Sequence, residues 1–350
     1  MRETPSFDSL MNMSATVDDV SIQLIEEYLT KVHSGLSDSD LSKEDLLSSM
    51  RLLRGPKEAM RPLNAALMMF SDKPSRFFAY AQVDVVFKSD LAGNEMEEYT
   101  FDGPVDSQIR GAVSLLRERA VREKVIKPEG QAESVRAWSY PVRALQEAVC
   151  NAVFHKSYQV HEQVTVTVLP DCIEVLNFPG PDLSIPDEKI GRIDMRSSRC
   201  RNKRLGEFLK ELRLAESRNT GIAKILQEMD RNGSGEPVFE TDSDRTYMRL
   251  TMPIHPLFVD RRRLERKASR RRSTQELRSD ILHLFQERGC MSVKEISEAL
   301  GYSNVSSSLR RHISELMEEG RLVYRYPDEP YRPDQKVCYV RRDSINLCRL

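Results

Sequence analysis

The stretch ALQEAVCNAVFHKSY (Ala144–Tyr158), followed by VTVTVL (Val164–Leu169) and CIEVLNF (Cys172–Phe178), decides how this chain is read. In the first piece Leu145, Val149 and Val153 recur at helical spacing, and Pro141 opens a helix expected to run to about Tyr158. Glu147, Asn151 and His155 step by four, so they share one face of that helix with the adjacent Ala148 and Ala152. The next two pieces alternate and are rich in β-branched residues, and Pro170-Asp171 between them marks a turn, which predicts a hairpin.

A stripe of Glu, Asn and His is what a solvent-facing helix side presents, and also what a helix lining a site presents. A carboxylate and a carboxamide one turn apart could hold a divalent ion and polarise a water. Spacing alone does not separate the two readings.

Downstream, Pro179–Arg201 is rich in Pro, Asp and Arg and poorly periodic, a loop of a length that usually has a task. Helices are expected at Arg204–Leu212 and Gly221–Asp230 and a strand at Tyr247–Pro253. Helices interleaved with a mainly antiparallel sheet point to an α+β fold, a two-layer α/β sandwich. Upstream, Ser21–His33 and Lys43–Leu53 read as helices, Arg61–Phe70 as an apolar helix or strand, Phe77–Lys88 as a strand and Val105–Val125 as a charged helix. The polar KPEGQAES (Lys127–Ser134) is a plausible domain edge. The expected domains are therefore 1–134, a mixed α/β spacer packing on the next; 135–257, the α/β sandwich; 258–273, a basic linker; and 274–350.

In that last domain ELRSDILHLFQE, SVKEISEAL and SNVSSSLRRHISELMEEG read as three helices, and LVYRYP and KVCYV as a β-ribbon around a Pro-rich tip. The order helix, helix, turn, helix, ribbon is that of a winged helix-turn-helix. Ser303, Asn304, Ser306, Ser307, Arg310 and Arg311 fall on or near the leading turns of the third helix, where short polar groups and arginines suit phosphate and base-edge contacts. Arg325 falls on the ribbon with Arg321, Arg332 and Lys336. Winged helices also serve as protein-interaction modules. The block Phe258–Ser273, with seven Arg and one Lys against Asp260 and Glu265, tips the expectation towards double-stranded DNA.

The 350 residues carry 39% hydrophobic and 31% charged side chains with a net charge of −1, enough for two or three domains. Six cysteines are scattered without a C-x-x-C pair, so neither a zinc site nor a disulfide framework is expected and reduced thiols are the default. No apolar run approaches the ~18 residues of a membrane span, and no signal-peptide pattern opens the chain, so a cytoplasmic protein without a membrane partner is expected. There is no G-x-x-x-x-G-K-[ST], which argues against a P-loop NTPase or motor helicase.

The ordered set Glu147-Ala148-x-x-Asn151-Ala152-x-x-His155-Lys156-x-Tyr158, then Ile173-Glu174-Val175-x-Asn177-x-x-Gly180, Arg201-Asn202 and Thr220-Gly221-Ile222, resembles the GHKL (Bergerat) ATPase domain. More narrowly it is similar to a divergent branch in proteins with a Schlafen/AlbA-like domain, named transcriptional regulators or RecG-like helicases. The resemblance covers about Phe7–Pro256. It implies ATP and Mg²⁺ as ligands, Glu147 as general base for the water attacking the γ-phosphate, and Asn151 as the Mg²⁺ ligand with His155 and Lys156 nearby. It places Asn177 at the adenine amino group, Gly180 where backbone approaches the base, and Arg201, Asn202, Thr220 and Gly221 along the nucleotide lid. It also implies a homodimer, and an AlbA-like module either lacking here or supplied by a separate AlbA-like protein. Two elements depart from the family. Its Asp-x-Gly-x-Gly reads Asn177-Phe178-Pro179-Gly180-Pro181, removing the carboxylate, and its second glycine motif is poor in glycine. Binding is thus better supported than turnover. The leading expectation is an ATP-binding, DNA-binding regulator whose nucleotide state biases dimerisation or DNA affinity. The alternatives are a slow ATPase in DNA repair or anti-phage defence, and an adaptor with a degenerate nucleotide site.

Overall fold

The computed structural model describes residues 5–37, 39–89, 95–126, 135–196, 200–215, 220–259, 274–301, 305, 307–329, 332 and 334–339. Two compact units divide the chain at Val259/Asp260. In chain order the first contains α1 (Ile22–Lys31), α2 (Lys43–Ser49), β1 (Leu53–Arg54), β2 (Arg61–Pro62), α3 (Asn64–Phe70), β3 (Val83–Lys88), β4 (Met96–Phe101), α4 (Val105–Arg119), β5 (Glu123–Ile126), β6 (Val135–Trp138), α5 (Val142–His155), β7 (Val164–Val168), β8 (Cys172–Asn177), α6 (Lys203–Glu211), α7 (Gly221–Arg231), β9 (Val238–Glu240) and β10 (Met248–Pro253).

Six strands form a mixed sheet in the order β4-β3-β7-β8-β10-β9. Only β3 and β7 run parallel; the other pairs are antiparallel. A parallel pair needs a long crossover, and α4, the β5–β6 hairpin and α5 supply it. This is a mixed α+β architecture compatible with an ATPase-like fold. The sheet runs across the domain edge expected at 127–134: β3 and β4 lie before it and are strands of the same sheet as β7 to β10. Strands from both sides of 127–134 thus contribute to one sheet.

Along β8 the residues Ile173, Val175 and Asn177 are buried, alternating with half-buried Cys172, Glu174 and Leu176, the period-2 pattern read in the sequence. The Arg61–Phe70 ambiguity resolves to helix: every residue of α3 is buried, so no polar face is needed. Its one polar residue, Asn64, is satisfied, donating to Phe7 O at 2.8 Å and accepting from Asn12 at 3.0 Å. Strand β4 was not read from the sequence because its residues (MEEYTF) are nearly all exposed at the sheet edge. Arg119 of α4 reaches over it, pairing with Glu97 at 2.7 Å and lying 4.4 Å from the Phe87 ring centre.

The second unit contains α8 (Thr274–Arg288), α9 (Val293–Ala299), α10 (Ser307–Glu318), β11 (Leu322–Tyr324) and β12 (Val337–Tyr339), the strands forming an antiparallel pair. Ser292 and Glu295 close a reciprocal capping box at the start of α9. Ile281, Phe285, Ile296, Leu309, Ile313, Leu316, Leu322 and Val337 form its core. The expectation of reduced thiols is corrected here: Cys290 and Cys338 form a disulfide with a Cα–Cα distance of 4.3 Å. The backbone bridge between Met291 and Val337 brings the two cysteines into register, a pairing that positions 48 residues apart do not announce. Most of the basic segment expected at 258–273 (from Asp260 onward), with Ser303, Asn304 and Ser306, lies outside the described residues.

Candidate nucleotide site

A cavity of about 340 Å³ opens between the face of the sheet carried by β8 and β10 and the helices α5 and α7. That size falls in the roughly 300–1,000 Å³ range of small-molecule sites. Its walls are largely apolar, with Val175, Ile185, Ile225, Met248 and Leu250 among them. Of the residues singled out from the sequence, Asn151, His155, Asn177, Gly180, Arg201 and Gly221 line it.

Helix α5 is the floor. Its apolar residues Leu145, Val149 and Val153 are buried and fix its rotation, which turns the Glu147, Asn151 and His155 stripe to the opposite side. That side does not face bulk water: α7 begins on top of it. A Cβ built on Gly221 would lie 2.6 Å from Glu147 Oε1 and 2.8 Å from Asn151 Oδ1. The carboxylate and carboxamide thus converge on the first residue of α7. The first-turn N–H groups of a helix have no intrahelical acceptor, and the positive end of the dipole favours an anionic group. The Asn151 side chain makes no hydrogen bond with any described residue.

At the sheet end, Asn177 closes β8 opposite Met248. It is 7% exposed, and its side chain likewise has no hydrogen-bond partner among the described residues. Gly180 follows it, with its N–H donating to Arg245 O at 2.7 Å. A Cβ at Gly180 would sit 2.5 Å from Tyr247 O and 2.6 Å from Thr241 Oγ1, so glycine is required by the protein's own β9–β10 turn. Arg245, buried, donates to Ile185 O at 3.0 Å and pairs with Asp187, fastening the 179–196 loop over the cavity.

Other predicted residues serve the frame. Arg201 lines the cavity, and its guanidinium donates to His155 O at 2.9 Å and to Gly180 O at 2.7 Å. Asn202 is buried beneath it and donates to Phe154 O and Lys156 O, both at 2.7 Å. Together they satisfy carbonyls left open where α5 ends. Lys156 points away from the cavity and donates to Ser157 O, Val160 O and Glu162 O; burial lowers its ammonium to about 8. Thr220 precedes α7 as its N-cap residue. Burial, helped by the Arg201 charge, lowers the His155 imidazole to about 4, so it is neutral at pH 7.

Lining residues that the sequence did not single out include Ile185 and Met195 from the loop and Phe239 of β9. A three-residue strand and an aperiodic loop carry no pattern that could have revealed them. Among the described residues there is no group of three or more His, Cys, Asp or Glu able to hold a metal. A divalent ion here would be held by Asn151 and by the phosphate oxygens of a ligand, the usual state of Mg²⁺ at nucleotide sites.

In the second unit Ser307 opens α10. Arg310 is exposed there and makes no ion pair among the described residues, whereas Arg311 pairs with Glu315 at 3.6 Å. Exposed Arg325 lies 5.6 Å from the Tyr326 ring centre; Arg332 stacks on the same ring and pairs with Asp334 at 2.6 Å.

Residues 161–252 match the family model described as "Putative ATP-dependent DNA helicase recG C-terminal". That span runs from β7 to β10 and supports an ATPase-like domain; α5, with Glu147 and Asn151, lies just before it. The chain is also similar in fold to the DIP2311 protein from Corynebacterium diphtheriae, at a TM-score of 0.55 and 15% identity, over 91% of this chain and 61% of that one. No curated protein matches. Among the described residues no helix is long and apolar enough to cross a membrane.

Proposed function

We propose that the cavity binds ATP with Mg²⁺, and that nucleotide occupancy biases DNA affinity or self-association through the C-terminal unit. The observation that carries the reading is the pairing on one cavity of two carboxamides that no described residue engages. Asn177 is buried among apolar walls where a base would lie, and Asn151 meets the start of α7 beside Glu147, where phosphates would lie. Asn151 would then hold the Mg²⁺ together with the phosphates, and the α7 N–H groups would donate to the anionic end. Glu147 is within reach of the same place and would orient a water. The bound ion's contribution is to neutralise phosphate charge.

The arrangement α8, α9, α10 and the β11–β12 ribbon supports a winged helix, in which α10 would enter the major groove with Arg310 foremost. On this reading Ser303, Asn304, Ser306 and Ser307 contact phosphate at its leading end and Arg325 touches the backbone from the ribbon.

Calorimetric titration with Mg-ATP tests the core claim: the wild type binds, and Asn151→Ala loses binding. Equal titrations for the two, or none for the wild type, would remove the nucleotide reading. The turnover of Glu147→Ala then separates a regulator from an ATPase. An ATPase loses turnover while retaining binding, whereas a regulator has little turnover to lose.

A further inference from the structure

We propose that the base-reading end of this cavity accepts 6-aminopurine and 6-oxopurine nucleotides alike, because the group that reads the base edge is the Asn177 carboxamide. The inference rests on the nucleotide reading above and adds the class of base.

A carboxamide carries two N–H donors and a carbonyl acceptor. Asn177 is 7% exposed; its carboxamide borders the cavity and is bonded to no described residue. A polar group set in a largely apolar cavity wall is placed to pair with a ligand that enters. Nearby polar groups on the wall are already engaged. Arg201 is held by His155 O and Gly180 O, to which it donates, and Asp182 Oδ1 accepts from Ser184 N at 2.9 Å. Val175, Met248 and Leu250 beside Asn177 offer no hydrogen bonds. Reading the base edge therefore falls to Asn177.

Adenine presents an amino donor beside the N1 acceptor. Guanine and hypoxanthine present the O6 acceptor beside an N1–H donor, the reverse order. A carboxamide satisfies the first with Oδ1 towards the amino group and Nδ2 towards N1. Rotation by half a turn about its last side-chain bond satisfies the second equally well. A carboxylate in the same place could only accept: it would suit the adenine amino group and repel O6. The apolar walls add a preference for two-ring bases, which cover more of them than a pyrimidine does.

The test is calorimetric titration of the full chain with Mg-ATP, Mg-GTP, Mg-ITP and Mg-CTP. ITP isolates the 6-oxo edge because it lacks the 2-amino group. ATP, GTP and ITP are expected within about tenfold of one another in Kd, with CTP weaker. Asn177→Asp is expected to keep ATP and to weaken ITP on the order of a hundredfold. Wild-type protein that binds ATP but binds GTP and ITP on the order of a hundredfold more weakly overturns the inference and leaves the ATP reading standing. An Asn177→Asp protein that folds and keeps the wild-type ratios also overturns it. If no nucleotide binds the wild type, the ATP reading falls first and the inference with it. The wild-type ratios decide even where the variant does not fold.

Discussion

Gly221 sits so close to Asn151 that a Cβ there would displace the side-chain tips it meets: it would lie 2.8 Å from Asn151 Oδ1, 2.6 Å from Glu147 Oε1, and closer still to Asn151 Nδ2. Alanine in place of glycine within a helix normally gains up to about 1 kcal/mol. Overpacking typically costs about 1–3 kcal/mol, and here it falls on the two polar groups proposed to meet the phosphates. Gly221→Ala is therefore expected to weaken Mg-ATP binding by about tenfold or more while the far-UV spectrum is unchanged. Unaltered affinity would show that α7 does not begin at the ligand.

Asn202 is a test of frame against ligand contact. Its amide serves the carbonyls of Phe154 and Lys156, and leaving such groups unpaired costs about 1–3 kcal/mol. Asn202→Ala should lower the urea midpoint by a corresponding amount. Nucleotide affinity at temperatures where the variant is folded should stay close to wild type, which calorimetry would check.

His155 makes stability depend on pH. Its imidazole is held near 4 in the folded chain against an ordinary value of 6.5. The unfolded chain therefore binds the extra proton first as pH falls. The contribution is fully present above pH 6.5 and is lost as pH drops through the window from 6.5 towards 4, at up to about 1.4 kcal/mol per pH unit. Urea unfolding at a series of pH values should show this slope reduced in His155→Gln. A variant with the wild-type slope would place the proton elsewhere.

The Cys290–Cys338 disulfide closes a loop across 48 positions of the C-terminal unit. The loop-closure model gives it roughly 4 kcal/mol. Calorimetry in the presence of a reducing agent, or on Cys290→Ser, should show the C-terminal transition moved down by several degrees. A transition insensitive to reduction would mean the bridge adds nothing to stability.

The DNA reading makes its own forecast. Replacing Arg310 and Arg311 together with alanine should weaken duplex binding and reduce the salt slope by about 1 to 2, since each lost phosphate contact removes about 0.9. Arg310 should matter more, because Arg311 already pairs with Glu315.

What could be read from the chain alone was whatever repeats locally. Leu145, Val149 and Val153 fixed the rotation of α5, and the alternation through Val164–Asn177 marked the β7–β8 hairpin, because 3.6- and 2-residue periods are imprinted by burial on one side. The polar stripe of α5 was legible for the same reason, but not what it faces. Only the tertiary structure set Gly221 upon it, 70 residues later. It also made β3 and β4 part of the same sheet, assigned Arg201 and Asn202 to the end of α5, and brought Cys290 to Cys338. Each of these is a contact between distant segments, decided by how whole layers pack, and no local pattern of residues encodes which distant partner will arrive.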